Sequence, residues 1–367
     1  MKPFRDQTTT AATGERPTMA TAAILVEQNH PLVVAQVKLP PLGVGQALVR
    51  IEWSGICGKQ LEEINGRRGA DPYLPHLLGH EAGGEVVEIG PGVRKVTPGD
   101  HVVLHARRGS GIEAASPVFD WEGTRVQAGG VTTFSEYSVI SENRLTPIPR
   151  DVPLDIAALL GCAVTTGLGI VSNNLQLKPG QSIAVFGVGG VGLNVIQGAA
   201  LVNAFPIVAI DVHARKLEQA KQFGATHTVG ASGDDLRARL LTLVGPRRFD
   251  ATVDATGHAA VRELAYELTG DKGTTILAGV PHHTDRMTID ALPLSFGRRL
   301  TGSYAGETDP DIEIPRYLQL YALGKLKLNE QISHRYRLDE INEAVEVVRS
   351  GQALRCLLSM RSGSDRR

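Results

Sequence analysis

The sequence predicts an α/β protein in two parts, a β-rich unit followed by a doubly wound parallel sheet of six strands. Three observations lead there. The chain holds 367 residues, and domains usually run to about 100–200. From Ala22 to about Arg150 short β-rich runs are broken by Gly and Pro. Beyond Ser182, strand-length apolar runs alternate with helical periodicity, the texture of parallel strands joined by right-handed helical crossovers.

Residues 1–18, with Thr8-Thr9-Thr10 and scattered charge, read as a mobile tail. In the β-rich unit Ala47–Trp53, Gly84–Ile89, His101–Leu104 and Phe134–Ile140 are the strand-like runs. Turn signals at Pro40-Pro41-Leu42-Gly43, Gly90-Pro91-Gly92 and Pro98-Gly99-Asp100 separate them. Ser182–Phe186 is then an apolar strand, followed by Gly-rich sequence and a helix to about Val202. Ile207–Ile210 is the second strand, and Ala214–Phe223 a helix whose apolar face holds Leu217, Ala220 and Phe223. Strands at His227–Val229, Ala251–Asp254, Thr274–Leu277 and Leu300–Tyr304 follow, with helices at Asp234–Val244 and Ala259–Leu268. Past Gly306 come amphipathic helices at Ile314–Leu323 and Leu338–Arg349 and a closing strand at Leu354–Ser359. The expected division is a first unit over 19–163, the parallel sheet over 164–304, and a return to the first unit over 305–367.

Composition excludes several function classes. Lys plus Arg number 38 against 39 Asp plus Glu, so bulk electrostatics gives no reason to expect nucleic acid or a membrane surface as partner. Apolar residues at 42% and charged residues at 21% make a globular chain. Three cysteines cannot build a disulfide framework and suit a reducing compartment. No two are close enough for a zinc ribbon. Two uncharged stretches, Ile156–Leu177 and Pro179–Ile210, exceed the roughly 20 residues of a membrane span. The second is too dense in Gly and polar residues, with Gln181, Asn194 and Gln197 inside it, and reads as a buried strand–turn–helix. No apolar run precedes Ala22, so a cytoplasmic location is expected.

Gly187-Val188-Gly189-Gly190-Val191-Gly192 fits G-x-G-x-x-G at a strand-to-helix junction. Gly187 makes the tight turn, Gly189 lets backbone approach a pyrophosphate, and Gly192 lets helix pack on strand. The helix N-terminus offers free N–H groups to the phosphates. Nineteen residues past Gly192, Asp211 ends the second strand. A carboxylate there accepts from the ribose hydroxyls and repels a 2′-phosphate, which favours NAD over NADP. Its plainer role is an N-cap for Ala214–Phe223, and Arg215 and Lys216 are cations able to receive a phosphate.

Cys57, His80 and Cys162 supply two thiolates and an imidazole, a zinc set with one coordination position open. Taken singly, a free Cys is a small buried hydrophobe, and spacing alone does not bring the three together.

The motifs around them carry a family resemblance. Gly55-Ile56-Cys57-Gly58, Gly79-His80-Glu81-Ala82-Gly83-Gly84, Pro98-Gly99-Asp100 and Gly161-Cys162-Ala163-Val164-Thr165-Thr166-Gly167 occur in order with the nucleotide fingerprint. From Ala22 onward the chain resembles the zinc-dependent medium-chain alcohol dehydrogenases. It is most similar to the class III branch (glutathione-dependent formaldehyde dehydrogenase), on Thr132-Thr133-Phe134-Ser135-Glu136-Tyr137 and on the ending from Ile341-Asn342-Glu343-Ala344 to Arg355. The resemblance implies a chaperonin-10-like catalytic domain and a Rossmann domain with the site in the cleft between them. Cys57, His80 and Cys162 would hold the catalytic zinc, with Glu81 as neighbour or transient ligand. Gly190 and Val191 would join the other fingerprint residues against NAD, Thr166 would lie on the nicotinamide, Lys216 near the adenosine ribose and Arg355 near the pyrophosphate. The plainer reading of Arg355 is a surface arginine. The implied reaction oxidises a primary or secondary alcohol to a carbonyl, or the reverse, by hydride transfer from a zinc-bound alkoxide. A homodimer or homotetramer paired through the strand near Leu300–Tyr304 is implied as well.

The chain departs from the family pattern in two places. Where relatives place a relay hydroxyl two residues after the first zinc cysteine, and then Asp, this chain has Lys59 and Gln60. Lys59 could itself act as general acid/base, with Glu62 able to pair with it; alternatively Lys59 turns outward and water carries the proton. Where relatives carry four structural-zinc cysteines, this chain has His105-Ala106-Arg107-Arg108-Gly109-Ser110-Gly111. One zinc per chain is therefore expected, and Cys356 reads as a buried strand residue. Ala106 suggests a wide pocket, and Arg107 and Arg108 could read an anion on the substrate or form an exposed loop. These features lean towards a polyol, sugar- or cyclitol-derived alcohol. Two other readings compete, a metal-free medium-chain reductase of C=O or C=C and a non-catalytic nucleotide binder.

Overall fold

The computed structural model describes residues 16–233 and 235–360. Of the expected tail, residues 1–15 lie outside the described residues, as does the first residue of the helix expected at Asp234–Val244.

The β-rich part has two pieces. A small closed barrel takes Met19–Leu25, Val33–Lys38, Val118–Trp121, Thr124–Gln127 and His76–Leu77. A seven-stranded sheet is centred on the long strand Gln46–Ile56, which pairs with Glu81–Ile89 and Tyr137–Ser141. The end of the chain joins this sheet: Arg355–Ser359 runs antiparallel to Gln46–Ile56, with Cys356 opposite Ile56. Cys356, Leu357 and Leu358 are completely buried there, so an apolar run distant in sequence completes the first core.

The second sheet holds six parallel strands in the order His227–Gly230, Ile207–Asp211, Ile183–Phe186, Phe249–Asp254, Thr269–Leu277, Arg299–Gly302. Apolar clusters cover both faces, one including Val185, Ile196 and Phe223 and the other Phe186, Leu240 and Leu268. This is the doubly wound order whose crossovers reverse beside the first strand, where such sheets bind ligands. A third cluster, with Leu160, Val164, Leu168, Ile314, Leu318 and Leu357, cements the two parts.

Element ends differ from the periodicity for identifiable reasons. The helix expected at Ile314–Leu323 spans Pro310–Ala322, because Asp309 accepts from the Asp311 N–H and Pro310 opens the first turn. The strand expected at Leu300–Tyr304 is Arg299–Gly302, and Tyr304 instead starts a 3-10 turn over Ala305–Glu307. The uncharged stretch Ile156–Leu177 breaks into the short helices Leu154–Leu159 and Ala163–Gly169 and a π-turn at Ile170–Leu175. Among the described residues no helix is long and apolar enough to cross a membrane.

Candidate zinc and dinucleotide site

Three turns bring the metal candidates together. Cys57 ends the strand Gln46–Ile56 and starts the helix Gly58–Ile64. His80 precedes the strand Glu81–Ile89, after Gly79 at φ +92°. A Cβ at Gly79 would lie 2.4 Å from the Thr133 hydroxyl, so only glycine makes this turn. Cys162 precedes the helix Ala163–Gly169, and a Cβ on Gly161 would lie 2.4 Å from the Leu104 carbonyl.

Ligand atoms of Cys57, His80, Glu81 and Cys162 all lie within 4.8 Å of one another. His80 Nε2 is 3.4 Å from Cys57 Sγ and 3.1 Å from Cys162 Sγ. Zinc bonds of about 2.0–2.3 Å require ligand atoms to approach this closely, so the donor set fits that ion in chemistry and spacing. The two thiols are shifted in opposite directions. A hydrogen bond from Cys162, opposed by burial and helped by His80, holds Cys57 well below the ordinary thiol range, and Cys162 is raised by the same bond and by burial. Burial opposes charge on His80, but the Cys57 thiolate outweighs it and raises the imidazole.

Glu81 is completely buried and ion-paired to Arg355. Its other oxygen, Oε2, has no hydrogen-bond partner, and burial raises its carboxyl despite Arg355. Arg355 is itself 3% exposed, which rules out the surface reading. Its guanidinium reaches from Glu81 towards Gly190, where an added Cβ would lie 3.0 Å from Arg355 Nη1. One side chain thus spans the metal cluster and the nucleotide loop.

In that loop Gly187 has φ +87°, and a Cβ on Gly192 would stand 1.9 Å from the Gly187 carbonyl. A Cβ on Gly189 would meet nothing within 4 Å, so the protein leaves that space open. This is a cradle for a group approaching the N-terminus of the helix Gly190–Leu201, and it fits a pyrophosphate. Val191 packs through its carbonyl against Gly167. Thr166 is buried one turn into the helix after Cys162. Asp211, 8% exposed, accepts from the Val188 N–H at 2.8 Å and the His213 N–H at 2.9 Å. The N-cap of the helix Ala214–Gln222 is His213, not Asp211. Lys216 Nζ lies beside the turn at Gly351.

The family models agree with this arrangement. The alcohol dehydrogenase GroES-like domain matches residues 43–150, and the zinc-binding dehydrogenase domain matches residues 190–322. The chain is 32% identical to alcohol dehydrogenase class-3 of Cereibacter sphaeroides, across 92% of this chain and 98% of that protein. The chain belongs to the zinc-dependent medium-chain alcohol dehydrogenase family. Among solved structures, it superposes on an alcohol dehydrogenase zinc-binding domain protein from Burkholderia ambifaria with TM-score 0.87 at 26% identity, covering 94% of this chain and 99% of that one. Benzyl alcohol dehydrogenase from Acinetobacter calcoaceticus gives 0.84 at 26% identity, covering 94% and 100%. The enzyme is an oxidoreductase acting on CH–OH groups, with zinc and a nicotinamide dinucleotide as cofactors.

Beside the cluster lies a cavity of about 700 Å³ lined by His80, Lys59, Ala106, Asp71, His76 and Arg144 among others. The Lys59 ammonium stands 3.8 Å from Glu63, one helical turn on. The expected Lys59–Glu62 pairing is therefore not found, because the helix Gly58–Ile64 carries Glu63 beneath Lys59 at i+4. Glu62 Oε2 is buried without a partner, and burial pushes its carboxyl up to about 7 against Arg67 and Arg68. Of the two readings of Arg107 and Arg108, the structure favours the loop over the anion reader, since neither lines the cavity. Arg107 is held by Glu307 at 2.8 Å and by the Tyr304 ring, and Arg108 by Glu113 at 3.1 Å. Four of the wall residues were given no role from the sequence: Gln60, Arg144, and the pair Asp71–His76 at 2.9 Å. Only the Gln60 position carried a signal, since a residue three beyond an N-cap is where a capping side chain reaches back.

Proposed function

We propose that the enzyme oxidises a polar, polyol-like alcohol with NAD, or reduces the matching carbonyl, in the cleft between the two sheets. The observation that carries this is the cavity wall: Lys59, Glu63, Arg68, Asp71, His76 and Arg144 line it, and Ala106 leaves it wide. These groups are paired among themselves and with Glu113, but each keeps further hydrogen-bonding capacity that water meets. An apolar alcohol would displace that water and give nothing in return, which is costly, whereas the hydroxyls of a polyol replace it. When bound, zinc supplies a Lewis acid and NAD a hydride acceptor. The chain's own residues hold and orient these groups. Cys57, His80 and Cys162 hold the metal, and Glu81 is kept beside it by Arg355. Gly187, Gly189, Gly190, Val191 and Gly192 receive the pyrophosphate with Arg355, and Thr166 backs the nicotinamide. Asp211 and Lys216 receive the adenosine ribose, and the Asp211 carboxylate disfavours a 2′-phosphate. Lys59, held by Glu63, binds a substrate hydroxyl from the wall, and Glu62, which does not line the cavity, takes no part in that contact.

Kinetics on a panel of sugar alcohols, cyclitols and benzyl alcohol test the substrate class. Higher kcat/KM for the polyols is expected, and a clear preference for benzyl alcohol overturns it.

The same proposal divides the chain into a catalytic unit over 19–163 and 305–367 and a cofactor unit over 164–304. It also places the enzyme in the cytoplasm as a homo-oligomer. The edge strand Arg299–Gly302 adjoins the exposed side chains Leu292, Leu294 and Phe296, an apolar edge suited to a second copy.

A further inference from the structure

We infer that Gln60 is a positioning residue that tunes zinc affinity, because its single carbonyl oxygen faces two donors once the metal is bound. Gln60 is 1% exposed and is locked by two contacts. Its Oε1 accepts from the Cys57 N–H at 3.1 Å, and its Nε2 touches His80 Nδ1. With the amide turned this way, Nδ1 must be the lone-pair nitrogen of the ring. His80 then carries its proton on Nε2, which faces the two cysteine sulfurs.

Zinc reverses that tautomer. A histidine that ligates through Nε2 carries its proton on Nδ1 and needs an acceptor there. Gln60 Nε2 is a donor, so donor would meet donor. Turning the amide places Oε1 against Nδ1–H but sets the NH2 group against the Cys57 N–H. One donor is left unpaired in a buried site whichever way the amide points. A carboxylate at the same reach has two acceptor oxygens and serves both N–H groups. The inference rests on His80 being a ligand through Nε2.

The test is the zinc dissociation constant, measured by competition with a chelator on the full chain. Gln60→Glu keeps the length and supplies the second acceptor, and should bind zinc about tenfold more tightly than the wild type. Gln60→Met keeps the bulk and removes both functions, and should bind about tenfold more weakly. The expected order is Glu, then Gln, then Met. Gln60→Glu binding no more tightly than the wild type, or Gln60→Met binding equally well, would overturn the inference. A second readout needs no variant. With 15N-glutamine labelling, the Gln60 side-chain amide should shift on zinc loading as its partners exchange, and an unmoved resonance would count against the inference. A wild type that takes up no zinc would instead remove the ligand assignment itself, and the two failures are thereby distinguishable.

Discussion

Among single residues, Lys59 and Asp211 are the ones to which the proposed function assigns the specificity of the two halves of the site. Lys59 is part of the cavity wall and leans on Glu63. A charged hydrogen bond contributes about 1.5–3 kcal/mol, so Lys59→Ala should raise KM for a polyol roughly tenfold or more with a smaller effect on kcat. Steady-state kinetics at fixed NAD checks this, and an unchanged KM would detach Lys59 from the substrate. Asp211 already gives one oxygen to Val188 and the other to His213. Asp211→Asn keeps an acceptor for one of those groups and removes the charge that repels a 2′-phosphate. The ratio of kcat/KM for NAD over NADP should fall, and dinucleotide titrations with both cofactors read it directly.

At the scale of elements, two loops show how conformation is enforced. In the nucleotide loop the 1.9 Å from a Cβ at Gly192 to the Gly187 carbonyl leaves no room for any side chain. Gly192→Ala should therefore abolish dinucleotide binding and lower the melting temperature, whereas Gly189→Ala, whose Cβ meets no protein atom, should weaken the cofactor alone. Calorimetry with and without NAD separates the two.

The loop after the strand His101–His105 is organised by two carboxylates, the buried Glu142 and the half-buried Asp311. Glu142 accepts from the N–H groups of Arg94, Lys95 and Ile112, and Asp311 binds Ser110 and Lys95. Burial opposes ionisation of Glu142, but those N–H groups together hold its carboxyl below the usual range. A depressed carboxyl contributes stability that is complete above the unfolded pKa of about 4.3 and is lost as pH falls through the lower folded value. Glu142→Gln should lower stability at neutral pH and flatten the acid limb, a difference visible in urea melts between pH 3 and pH 7 (roughly the window set by that pKa).

For the whole molecule, the ligands come from three separate elements, so metal loading and folding are coupled. Chelation should lower the melting temperature cooperatively, and added zinc should restore it. The apolar edge beside Arg299–Gly302 belongs to this scale as well. Phe296, 69% exposed, should lose its cover on Phe296→Asp, and sedimentation should show smaller species than the wild type; an unchanged mass would move the interface elsewhere.

Much of this architecture was legible in the chain itself. Local periodicity marks the six parallel strands, because a strand buried on both faces needs an apolar run and its crossover needs helical spacing. The glycines at 187 and 192 announce the turn they make, since no other residue fits its backbone, and Gly189 keeps open the space beside it. The motifs around Cys57, His80 and Cys162 marked the ligands through their family resemblance. What spacing could not supply is their distance, because 23 and 82 residues separate His80 from the two cysteines and only the sheet and the third core cluster close those gaps. Tertiary structure alone also decided the side-chain partners. Lys59 leans on Glu63 and not Glu62, Arg107 is spent on Glu307, Arg355 is buried between metal cluster and nucleotide loop, and Gln60 stands between the Cys57 N–H and the His80 ring. Such pairings depend on which faces two distant segments present to each other, and a linear pattern of polar residues carries no record of that.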